Sequence, residues 1–120
     1  MTHPVVWFEV MGEDGARLQG FYRGLFGWKI DAGNPMKYGM VEAASGRGIP
    51  GGVGQLDGNP HHPKVTFYVS TNAIDASLKK ATELGAKVLL PRTVLPGGTI
   101  LGMFADPEGN AIGLVEDADA

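Results

Sequence analysis

No cysteine occurs in the 120 residues. A disulfide framework, a thiolate nucleophile and a thiolate-bound zinc are thereby excluded. Charge of one sign is also scarce: ten basic against thirteen acidic residues leave a net charge of -3. Such a balance gives no basic footprint for nucleic acid and no attraction to an anionic lipid surface. Long apolar runs are missing, so no membrane-spanning helix is expected. The opening residues, Met1-Thr2-His3-Pro4, lack the charged-then-apolar pattern of a secretory signal, and a cytoplasmic location is the expectation.

Glycine and proline, in contrast, are plentiful, at nineteen and eight residues. They sit between periodic segments, as expected for short strands joined by tight turns. With 43% hydrophobic residues, the length suits one globular domain with one core.

The chain reads as two similar halves. Val5–Val10 and Val65–Ser70 alternate as strands, with Val6, Phe8 and Val10 on one apolar face of the first and Val65, Phe67 and Val69 on that of the second. Trp7 and Glu9, and Thr66 and Tyr68, take the opposite faces. A helix follows each strand. Leu18, Phe21, Tyr22 and Leu25 predict a buried stripe in the first, with Asp14 as N-cap and Gly27 as the left-handed stop. Ile74, Leu78 and Ala81 do so in the second, capped by Thr71 or Asn72 and ended by Gly85.

Three short strands then complete each half: residues 28–31, 38–43 and 52–56, then 86–90, 99–105 and 111–116. Asp106-Pro107-Glu108-Gly109 has type I turn chemistry, and Pro96-Gly97 suits a type II turn. The expected architecture is α+β: two tandem βαβββ modules, residues 1–57 and 64–120, joined by a linker at 58–63. Their curved mixed sheets would face each other around a central cleft.

Three stretches carry a family resemblance: Phe21-Tyr22-Arg23-Gly24-Leu25-Phe26-Gly27-Trp28, Ile49-Pro50-Gly51-Gly52-Val53, and Phe104 to Leu114 with its Asp106-Pro107-Glu108-Gly109-Asn110 turn. Together and in this order they resemble the vicinal oxygen chelate superfamily. It includes glyoxalase I, extradiol dioxygenases, epimerases, fosfomycin-resistance transferases and bleomycin-sequestering proteins. Fold alone does not choose among these activities.

The resemblance also says where a metal would be held. In metal-using members the first ligand lies at a fixed distance before an acidic helix-entry residue, here Asp14, and that position is Trp7. The last is the Glu of an Ile-Glu-Leu sequence after the Asp-Pro turn. Here it reads Ile112-Gly113-Leu114. The offset between Phe8 and Phe67 carries Trp7 to Thr66 and Gly113 back to Gly54. Trp and Gly side chains offer no nitrogen or oxygen donor to a divalent ion, and a Thr hydroxyl alone is a poor one. Neither a metal nor another cofactor is expected.

The candidate site is therefore organic. Trp7 and Tyr68 would stack on a flat ligand, beside Glu9, Thr66 and Met103, with Met40 and Leu101 near. Packing the cleft shut, or a subunit interface, is the competing reading of the aromatics. Glu9 beside the indole is a candidate general base, against a reading as a solvated strand residue or a partner of Arg23 or Arg47. Glu42 is a lesser candidate of the same kind. Adjacent imidazoles in an extended chain point apart, so His61 and His62 read as exposed linker. Gly51, Gly52 and Gly54 lack the helix and the Lys-Ser/Thr ending of a phosphate loop.

The expected function is non-metal binding of an unknown small molecule. The alternatives are a lyase, isomerase or dioxygenase using Glu9, and a dimeric interaction module with a closed cleft. A homodimer is expected under each.

Overall fold

The structure, a computed structural model, describes residues 2–120. Met1, part of the N-terminal reading above, lies outside them. The elements run β1 (Val5–Gly12), α1 (Gly15–Phe26), β2 (Ile30–Asp31), β3 (Gly39–Val41), β4 (Gly51–Gln55), β5 (Val65–Thr71), α2 (Ile74–Glu83), β6 (Lys87–Val94), β7 (Ile100–Ala105) and β8 (Ala111–Glu116). The class is α+β, and strand, helix, strand, strand, strand occurs twice. Two compact units are formed. One is Trp7–Thr66; the other is Phe67–Ala120 with the described residues up to Val6.

In the unit Trp7–Thr66 the strands lie in the order β2-β3-β4-β1. β4 is parallel to β1 and antiparallel to β3. A parallel neighbour requires a crossover, and the connection through α1 supplies it. Asp14 caps α1 by accepting from the Arg17 N–H, and Gly27 closes it at φ 67°. Both roles were legible in the sequence.

The stripe of α1 was not. Gln19 and Gly15 are its buried residues, while Phe21 and Leu25 are 57% and 59% exposed. The reason lies beneath the helix. Gly39 has no side chain there, and the Gln19 amide fills the space, donating from Nε2 to the carbonyls of Val53 (2.7 Å) and Lys37 (3.1 Å). Tyr22 turns to Trp28, stacking at 5.1 Å between ring centres, and Phe8 joins the same cluster.

In the other unit the order is β5-β8-β7-β6, with β5 and β8 parallel and the remaining pairs antiparallel. Here the predicted stripe is the core: Ile74 is fully buried, and Leu78 packs with it against Leu114. Gly102 permits this approach, since a Cβ there would stand 2.7 Å from Ile74 Cγ2. The cap of α2 differs from expectation. The N-cap residue is Ala73, whose own N–H goes to Thr71 Oγ1, and the Ile74 N–H goes to the Glu116 carboxylate at 3.0 Å. Arg92 Nη2 holds the same carboxylate at 2.8 Å.

β6 runs to Val94, beyond the expected end, by means of two register shifts. Its Pro91 is tolerable because β6 is the last strand in the order. Both predicted turns form. The Gly109 N–H meets the Asp106 carbonyl at 2.8 Å, and the Gly98 N–H meets Leu95 at 3.0 Å with Gly97 at φ 97°.

Candidate functional site

The unit Trp7–Thr66 has two faces, and register decides which residues share them. Gly39, Val53 and Val10 are cross-strand partners, and Gly39 lies against Gln19 of α1. They therefore face the helix. Alternation puts the neighbouring row, Asp31, Met40, Gly52 and Glu9, on the opposite face. Trp7 and Met11 join Glu9 there by the same rule.

Over this face lies Tyr38, which comes from a loop. Asn34 clamps its backbone, accepting from the Tyr38 N–H (2.9 Å) and donating to its carbonyl (2.7 Å). The turn needs Lys37 at φ 52°, the one described non-glycine residue with positive φ. A non-glycine residue there costs energy, and such strain gathers at functional places. The phenol lands where side chains at 52 and 54 would otherwise be: the Tyr38 hydroxyl stands on the Cβ position of Gly52, and Cδ1 is 3.0 Å from that of Gly54.

The polar groups form a chain. Trp7 Nε1 donates to the Tyr38 hydroxyl at 3.1 Å, and that hydroxyl donates to Glu9 Oε2 at 2.8 Å. His62 Nε2 meets Glu9 Oε1 at 2.8 Å. Glu9 is only 6% exposed. The hydrogen bond to Glu9 raises the His62 pKa above 6.5, against the opposing effect of burial, with the charges of Glu9 and Asp57 adding to the rise. His62 is thus not an idle linker residue, contrary to expectation. The Asn59-Pro60 turn presents it: the His62 N–H bonds to the Asn59 carbonyl (3.1 Å), and Asn59 Oδ1 takes the His61 N–H (2.9 Å), leaving the His61 ring exposed.

Beside this chain is an open groove of about 630 Å³, lined by Trp7, Ile30, Asp31, Met40, Glu42 and Pro50 among others. Met40 is 47% exposed, an apolar side chain offered to solvent next to an indole. Of the residues expected to touch a ligand, Trp7 lines the groove and Glu9 sits behind it. Thr66 is buried in the same unit. Tyr68 and Met103 are in the other unit, buried and register partners of Gly113. The sequence reading missed Tyr38 and His62. Paired glycines facing a bulky residue, and Asn-Pro turns ahead of each, were the available signals.

The divalent ion that the resemblance implies does not fit these residues. Gly113 lies opposite Tyr68, and the register partner of Glu9 on β4 is Gly52, so Gly52 takes the place assigned above to Gly54. Tyr38 and Tyr68 rings occupy the space at these glycines. Among the described residues, no three His, Asp or Glu side chains gather as a metal cluster.

The chain belongs to the glyoxalase-like domain family, within the vicinal oxygen chelate superfamily: the family's pattern matches residues 7–115. It is 32% identical, over 94% of its length, to the anthracycline biosynthesis protein DauV of Streptomyces sp. strain C5. It spans about half the length, 48%, of the curated relatives it matches. Among solved structures, a glyoxalase/bleomycin resistance protein/dioxygenase superfamily member from Vibrio splendidus 12B01 aligns with a TM-score of 0.67. The two are 17% identical, over 97% of this chain and 100% of the other. A Streptomyces coelicolor methylmalonyl-CoA epimerase variant in complex with 2-nitronate-propionyl-CoA aligns at 0.64. It is 16% identical, over 95% and 96% of the two chains. These likenesses establish the fold.

Proposed function

We propose that this chain binds a flat, apolar or aromatic small molecule in the Trp7 groove, without a metal ion. The observation that carries the reading is the groove itself, where Trp7, Met40, Ile30 and Pro50 line an open space of about 630 Å³. Binding sites of this size are mostly apolar with a few placed polar groups, and Lys29, Asp31 and Glu42 supply those here. The relative named for anthracycline biosynthesis adds fused-ring aromatics to the ligands to be tried.

The test uses the Trp28→Phe protein, so that Trp7 alone emits. A panel of monocyclic and fused-ring aromatics should include compounds that change the emission and raise the melting temperature. At a hundredfold excess over Kd, binding adds about 2.7 kcal/mol. Trp7→Ala should lose the thermal response. A panel that moves neither observable would end the reading.

Glu9 as a general base has less support, because each of its oxygens already accepts a hydrogen bond. Pairing of two copies is a second reading, favoured by the exposed Phe21, Leu25 and Phe26 on α1. Sedimentation of the Phe21→Ser, Leu25→Ser double variant beside the parent tests it.

A further inference from the structure

We infer that His62 is a positioning residue for the Trp7 groove: through Glu9 and Tyr38 it sets where the indole stands, and a proton on its imidazole tightens that arrangement. For ligand binding the inference rests on the function proposed above. For the ligand-free protein it stands alone.

The direction of the chain is forced by donor chemistry. An indole N–H can only donate, and an ionised carboxylate can only accept. The Tyr38 hydroxyl has one proton. It accepts from Trp7 and so gives that proton to Glu9. The other Glu9 oxygen faces His62. A carboxylate buried to this degree is costly unless paired and hydrogen-bonded, and an imidazolium is the stronger partner. A change at His62 therefore reaches Trp7 through two shared atoms groups, the Glu9 carboxylate and the Tyr38 hydroxyl, with no gap longer than 3.1 Å.

The charged groups around His62 act in one direction. Glu9 approaches from β1 and Asp57 from the turn that carries His62 itself, and both favour the protonated ring; burial opposes them, and the net shift is upward. The consequence for pH has a definite sign. A group whose pKa is higher in the folded protein contributes stability that is fully present below its unfolded value, 6.5, and lost as pH rises through its folded value. The link is therefore tight below 6.5 and relaxes as pH rises through the folded value.

His62 is also held by its own segment. Asn59 takes the backbone N–H groups of both His61 and His62, and Asp57 Oδ1 takes that of Asn59 at 3.0 Å. The imidazole arrives at Glu9 from a turn with its own local hydrogen bonds.

The experiment follows Trp7 emission in ligand-free Trp28→Phe protein between about pH 5 and pH 9. One transition is expected, with a midpoint above 6.5. His62→Gln should abolish it, and His61→Gln should leave it in place. Ring resonances of His62 in the unmutated protein, followed over the same range, should show the same midpoint; this arm stands even if His62→Gln fails to fold. A transition that survives His62→Gln, a flat parent profile, or a His62 midpoint at or below 6.5 would overturn the inference. None of these readouts needs a ligand, so their failure is separate from failure of the ligand panel. Once a ligand is found, its affinity should weaken as pH rises through the same midpoint, and His62→Gln should remove that dependence.

Discussion

The phenol ring of Tyr68 stands where a side chain at position 113 would have to go. The two residues are register partners on β5 and β8, and a Cβ built on Gly113 meets the ring itself. Gly113 is thus a glycine by packing. Gly113→Ala must displace a buried aromatic ring, and overpacking of this kind costs about 1–3 kcal/mol. Urea denaturation measures it. A change below about 0.5 kcal/mol, the range of ordinary surface substitutions, would show that Tyr68 moves freely.

Gln19 offers a second test. Its amide satisfies two carbonyls beneath α1. Gln19→Leu keeps the volume and removes the donors, leaving the Val53 and Lys37 carbonyls without this partner. The expected cost is about 1–3 kcal/mol, seen as a lower urea midpoint with an unchanged slope. A variant as stable as the parent would mean that other groups replace the amide.

Acid should expose the role of Glu116. Hydrogen bonding from Arg92, and then from the Ile74 N–H, lowers its pKa from 4.5 to about 2. A carboxylate lowered in the folded state contributes stability above its unfolded pKa and loses it as pH falls through the folded value. Melting temperature followed from 4.5 down to about 2 should therefore drop more steeply in the parent than in Glu116→Gln. Parallel curves would remove Glu116 from the acid response.

Most of the fold was legible because strand alternation and turn chemistry are local. β8 runs as expected over Ala111–Glu116, and Asp14, Gly27, Gly97 and Gly109 do what their types dictate. The face of α1 was not legible, because periodicity finds a helix without saying what lies under it. Only the bare Gly39 and the two carbonyls there explain why a glutamine is buried and Phe21 is not.

The site divides in the same way. Trp7 and Glu9 were readable from a strand, where side-chain direction follows from counting. Tyr38 and His62 come from loops, where direction depends on particular hydrogen bonds. The Asn34 clamp and the Asn59 turn have no period to detect. Gly113 was placed correctly by its turn, whereas counting gave Gly54 where the register gives Gly52, and the Tyr38 and Tyr68 rings at these glycines were visible only in three dimensions.

His3 Nδ1 lies 3.1 Å from the Ser70 carbonyl, and the Ser70 N–H donates to Pro4 at 2.9 Å. Residues more than sixty positions apart are therefore joined inside one unit by bonds that a nick within residues 57–63 would leave uncut.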